Sequence, residues 1–185
     1  MDIIMRITIK RNMIKLVVVF GAVVSITVPV LADDLGSSAM NQARQKILQS
    51  RQALATDPFR PLYHFSSPKG NLWDPGGFCK WMGKYHLFYI GWGGKGHAVS
   101  DDMVHWQDLS PIRELRGLTG QMITTADRAI MTFTNRKGEV KVATSSDPML
   151  QEWEVNTALP PSVLEGCQKP IDSCIWEEDG EFFIG

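Results

Sequence analysis

Asp-Pro occurs three times in this sequence, at Asp57, Asp74 and Asp147. Aspartate before proline often does no more than start a turn. The second copy has different company: Trp73-Asp74-Pro75-Gly76-Gly77. A turn of this kind would hold one carboxylate at the inner end of a strand, with glycines letting backbone and ligand approach closely. A carboxylate so placed can face the carbon of an oxocarbenium-like transition state. Glycosyl chemistry then needs a second, protonated carboxyl for the leaving oxygen, so two acids of opposed ionisation are required. Trp73 and Trp92 flank the same segment and offer flat apolar area to a sugar ring, with core packing as the alternative for either. With Asn71 they form the candidate substrate-contacting set.

The elements that must carry Asp74 show in the patterning. From Pro61 onward, short aromatic and β-branched runs alternate with Gly, Asp, Asn and Pro, which predicts an all-β region. Strands are expected at Gly77–Trp81, Tyr85–Tyr89, Gly96–Ser100, Ala129–Thr134, Val140–Ser145, Ser173–Trp176 and Glu181–Ile184. These runs recur. His97-Ala98-Val99-Ser100-Asp101-Asp102-Met103 leads to Trp106, and Val142-Ala143-Thr144-Ser145-Ser146-Asp147-Pro148-Met149 leads to Trp153. The offset is about 45 residues, the length of one four-stranded propeller blade. Two blades and the start of a third leave an open sheet edge, so the sequence is expected to be part of a longer propeller, poorly soluble by itself.

Ahead of these strands, Met40, Ala43, Ile47 and Leu54 have helical spacing after a cap at Ser37 or Ser38, which predicts a helix ending near Asp57-Pro58 and packing beside the main domain. Earlier still, Arg6, Lys10, Arg11 and Lys15 precede a charge-free apolar run from Leu16 to Val30. That order predicts a secretory leader over 1–32, cleaved after Ala32, and a secreted or periplasmic protein; an uncleaved membrane anchor is the alternative. The organisation expected is leader 1–32, helical lead-in 33–57 and β-blades 58–185.

The chain carries a net charge of −1, and its basic side chains outside the leader form no cluster. Nucleic acid and anionic membrane are therefore excluded as expected partners, and a neutral substrate fits better. Three cysteines without metal-ligand spacing predict no metal site, and no cofactor is expected. Cys167 and Cys174 are either a small-loop disulfide or two buried thiols, and Cys79 is a packed strand thiol. His64, His86, His97 and His105 read as hydrogen-bonded packing residues, and Trp106 and Trp153 as structural. Oligomeric state is not legible.

The segments Arg60-Pro61-Leu62-Tyr63-His64-Phe65, Trp73-Asp74-Pro75-Gly76, Tyr85-His86-Leu87-Phe88-Tyr89 and Gly96-His97-Ala98-Val99-Ser100 through His105-Trp106 resemble glycoside hydrolase family 32. The resemblance implies the first blade of a five-bladed β-propeller and a retaining β-fructosidase in which Asp74 is the nucleophile. It also implies a transition-state-stabilising Asp where the third blade opens, at Lys169-Pro170-Ile171-Asp172-Ser173; Asp172 is that candidate, with Ile171 and Ser173 in place of the family's Arg and Pro. Ile90 stands where a sugar-binding Gln is usual, and Leu72-Trp73 where Met-Asn is usual, so sugar specificity rides on these positions. The family's general acid is a Glu on a later blade that this sequence does not reach; Glu165-Gly166-Cys167 is not its motif, and the chain alone is expected to be inactive. Two alternatives remain open. One is the similar, inverting family 43, which acts on arabinan or xylan and whose carboxyl separation would be about 6.5–9.5 Å rather than about 5–5.5 Å. The other is a propeller that binds glycans or a partner without catalysis.

Overall fold

The computed structural model describes residues 5–7, 31–61, 63–68, 72–91, 94–160 and 171–185. Of the expected leader, only Met5–Ile7 and the first residues of a helix fall among them. Asn71, Trp92, Glu165 and Cys167 lie outside the described residues.

The described chain forms a strand β1 (Met5–Ile7), a helix α1 (Leu31–Leu54) and ten further strands: β2 (Pro75–Trp81), β3 (Lys84–Gly91), β4 (Gly94–Ser100), β5 (Trp106–Asp108), β6 (Met122–Thr124), β7 (Ala129–Thr134), β8 (Val140–Ser145), β9 (Glu154–Leu159), β10 (Ile175–Glu178) and β11 (Glu181–Ile184). They make two four-stranded antiparallel sheets, β2-β3-β4-β5 and β6-β7-β8-β9, each joined in sequence order. A third sheet runs β10-β11-β1, with Met5–Ile7 on the free edge of β11. Consecutive four-stranded meanders of this kind are consistent with propeller blades.

The repeat is visible in bonds as well as spacing. The Oγ of Ser100 accepts from the Asp102 N–H at 3.2 Å, and that of Ser145 accepts from the Asp147 N–H at 3.2 Å. Trp106 Nε1 donates to the Met103 carbonyl and Trp153 Nε1 to the Leu150 carbonyl, at 2.9 and 2.8 Å. Met103 and Leu150 both adopt left-handed backbone, φ 64° and 51°. Identical turn chemistry closes the same corner of each sheet. Around Asp102, hydrogen bonds led by that of His105 hold the carboxylate well below its usual range.

Packing explains why a single meander would not suffice. On β7, Ala129, Met131 and Phe133 point into a core shared with the first sheet, alongside Phe88, Trp81, Ile112, Leu115 and Leu150. The intervening Ile130 faces the other way and joins Val140, Val142, Leu159, Ile175 and Ile184 against the third sheet. The middle sheet is thus buried on both faces, and each large side chain so buried stabilises by about 1.5–3 kcal/mol. Strands β5, β6 and β9 were not expected from the sequence; Met122–Thr124 and Trp106–Asp108 are only three residues long, and Glu154–Leu159 is half polar with no strict alternation.

Helix α1 starts at Leu31, earlier than the Ser37 or Ser38 cap expected. Leu and Ala propagate helix well. It docks on the first sheet: Ile47 is buried, and Arg51 donates Nε and Nη2 to the Asp108 carboxylate at 2.5 and 3.0 Å. The third sheet's first strand begins at Ile175 rather than Ser173. Among the described residues no helix is long and apolar enough to cross a membrane.

Candidate active site

The first strands of the three sheets, β2, β6 and β10, lie side by side, β2 against β6 and β6 against β10. Gly120, just before β6, bridges Ser173, just before β10, in parallel. Glycine is required there, because a Cβ on Gly120 would collide with the Thr132 carbonyl oxygen. Asp74 immediately precedes β2, and Asp172 precedes β10 by a short step. The two carboxylates singled out from the sequence therefore stand at the entries of two of these three neighbouring strands, with the β6 entry between them.

Both carboxylate residues are exposed. The Asp74 carbonyl accepts the Ile90 N–H at 3.4 Å, so the turn is tied to the end of β3. Asp172 has left-handed backbone, φ 57°, and its carboxylate accepts a hydrogen bond from the Thr119 hydroxyl on the β6 entry. Thr132 donates to the Ser173 carbonyl at 3.0 Å and Gln121 Oε1 accepts the Ile175 N–H at 3.0 Å, which fixes the Asp172 strand to the second sheet. Trp73, next to Asp74 in the chain, is 65% exposed.

Two residues near this site escaped the sequence reading. Thr119 lies in a loop with no motif of its own. Lys95 lies in a strand in which every residue is buried, and is itself 0% exposed. Its Nζ donates to the Leu118 carbonyl at 3.0 Å and stands 5.6 Å from the Phe133 ring centroid. Burial pushes its ammonium down to about 8. The only sequence signal was a lysine between two glycines, Gly94-Lys95-Gly96, beside an apolar strand. The glycine expected to make room for a sugar at Gly76 instead faces this lysine: a Cβ there would sit 2.6 Å from Nζ.

Another opening lies elsewhere. A cavity of about 620 Å³, lined by Arg128, Ser145, Asp147, Glu152, Trp153 and Glu154, lies at the far end of the second sheet. Thr124 pairs with Ala129 and Ala129 with Ser145 at that end, whereas the β6 entry is opposite.

Cys79 is buried, with its thiol pushed up to about 12 by desolvation. Cys174 is exposed and free, contrary to both readings of it from the sequence; it follows the Asp172 turn at the rim rather than the core. Among the described residues no cluster of His, Cys, Asp and Glu has metal-binding geometry.

Residues 64–168, more than half of the chain, match the family described as glycosyl hydrolases family 32 N-terminal domain. The chain belongs to glycoside hydrolase family 32. Among curated relatives, a levanase of a Bacillus species is 44% identical over 54 residues, covering 29% of this chain and 6% of that protein. A probable sucrose-6-phosphate hydrolase of Psychromonas ingrahamii is 30% identical over 166 residues, covering 74% of this chain and 30% of the relative. The chain spans 30% or less of the length of these family 32 relatives. Among solved structures, a β-fructofuranosidase of Bombyx mori superposes with a TM-score of 0.58 at 20% identity, over 80% of this chain and 36% of that one. The sucrose-6-phosphate hydrolase of Lactobacillus gasseri superposes at 0.55 and 22% identity, over 76% of this chain and 33% of that one. At such identities the structures speak to the fold alone.

Proposed function

We propose that this chain is the front of an exported glycosidase that hydrolyses β-fructofuranosides with retention of configuration. Asp74 attacks the anomeric carbon as the glycosidic C–O bond breaks and the leaving oxygen takes a proton; water then hydrolyses the resulting glycosyl-enzyme ester and frees the Asp74 carboxylate. Asp172 steadies the oxocarbenium-like charge. The proton donor, a glutamic acid, belongs to the part of the protein that this chain does not span, and a ring of five blades encloses the site.

The observation that carries this reading is the common placement of Asp74 and Asp172 at neighbouring strand entries, with the Asp172 carboxylate held by Thr119. Trp73 beside Asp74 suits a sugar face. Named activities of the family 32 relatives, levanase and sucrose-6-phosphate hydrolase, support a fructose-containing substrate.

The test is hydrolysis of sucrose, inulin, levan and arabinan by the complete gene product and its Asp74→Asn variant. Fructose release that the variant abolishes is the expected result. Arabinose release would move the protein to the inverting arabinan-cleaving alternative, and no release from any substrate would replace catalysis with glycan binding.

A further inference from the structure

A run of contacts, hydrogen bonds at its two ends and a strand pairing between them, links the two carboxylate entries, and Lys95 is its centre. The Asp74 carbonyl is bonded to the Ile90 N–H, and Ile90 faces Lys95 across β3 and β4. The Lys95 backbone N–H and C=O both bond Ile112, at 2.9 Å each, which locks the residue from its other side. Its Nζ then crosses to the second sheet and donates to Leu118, the residue before Thr119, whose hydroxyl holds Asp172. The same Nζ fills the space left by Gly76, two residues after Asp74.

We propose that Lys95 is the positioning residue that fixes the Asp74 and Asp172 entries relative to one another. This rests on the reading of those two carboxylates as the reacting pair. Stability alone does not account for the residue: among the described residues no ion pair includes Lys95, and Leu118 is its one described acceptor. A buried ammonium is costly, and an apolar side chain of the same length would fill the seam at equal or lower free energy. What an apolar chain could not do is grip the β6 entry by a directed hydrogen bond while filling the space beside Gly76. Chemistry between two carboxylates and one anomeric carbon is sensitive to this, since a displacement of about 1 Å can cost about 100-fold in rate.

The experiment uses the complete gene product with Lys95→Met and Lys95→Ala. For Lys95→Met the expected result is an unchanged or higher Tm, kcat lowered roughly 10- to 100-fold, and KM within about twofold of the parent. For Lys95→Ala, added n-propylammonium, which replaces the missing atoms from Cγ to Nζ, restores activity, whereas n-propanol does not. Parental kcat in Lys95→Met overturns the proposal. So does a parallel fall of activity and Tm with no amine rescue, because that is the behaviour of a merely structural residue. Asp74→Asn separates the layers: full activity there overturns the reading of the carboxylates, whereas an inactive Asp74→Asn beside a fully active Lys95→Met overturns only the role of Lys95.

Discussion

His86 Nδ1 lies 3.0 Å from His97 Nε2, with both rings buried in the seam between the first and second sheets. Across the seam, His97 Nδ1 meets the Gln151 amide nitrogen at 2.7 Å, and the His97 ring stacks on Phe88 with centroids 4.1 Å apart. If Gln151 donates to His97 and His97 donates to His86, every ring is neutral and each hydrogen bond has one donor. Protonating either ring sets two donors against each other.

Burial, then the nearby Lys84 charge, lowers His86 to about 4, with Asp147 opposing; burial and then His86 hold His97 well below its usual value. Both folded values lie below the unfolded one near 6.5, so the contribution to stability is complete above about pH 6.5 and is lost as pH falls through about 4. Thermal unfolding from pH 7.5 to 3.5 should show Tm falling more steeply for the parent than for the His86→Gln/His97→Gln double variant. Parallel curves would refute this.

Trp73 and Trp153 should separate binding from packing. Trp73 is 65% exposed beside Asp74, so Trp73→Ala should raise KM roughly tenfold and leave Tm almost unmoved. Trp153 meets Phe88 edge-on at 5.8 Å and bonds the Leu150 carbonyl, so Trp153→Ala should cost about 3 kcal/mol of stability with KM unchanged. Steady-state kinetics and calorimetry on both variants check the pair.

Thr119→Val removes the hydroxyl that holds Asp172 and keeps the side-chain shape. Because Asp172 already sits in left-handed backbone, nothing local restores its aim. We expect kcat to fall about tenfold, and Asp172→Asn to lower it further, with the two losses not additive. Additive losses in a double variant would show that the hydrogen bond does not serve the carboxylate.

Arg51→Met should loosen α1. The Asp108 carboxylate that Arg51 clasps is 5% exposed, and the guanidinium also stands 5.1 Å from the Phe65 ring centroid. Leaving that carboxylate without its partner should destabilise by about 2–3 kcal/mol, with faster amide exchange confined first to α1. Exchange that is unaltered in α1 would show the helix held by other contacts.

What the sequence determined by itself was local. The corners at Ser100 to Trp106 and Ser145 to Trp153 are set by hydroxyl and carboxylate groups bonding backbone a few residues away, so their repetition marked the blades before any contact was known. The inner strands other than β6 were legible because alternating apolar residues must face neighbouring sheets, and the Asp74 string carried its own turn chemistry. Only tertiary structure decided the rest. The outer strands β5 and β9 carry no strict apolar alternation, and the Asp108 end of β5 is buried where Arg51 of α1 docks on it. That Thr119 serves Asp172, that Arg51 reaches Asp108, and that Lys95 is buried against Gly76 and Leu118 are each settled by residues far along the chain. No short window of sequence encodes which strand entry will lie beside which; that is fixed when the sheets pack face to face and bury both sides of the middle one.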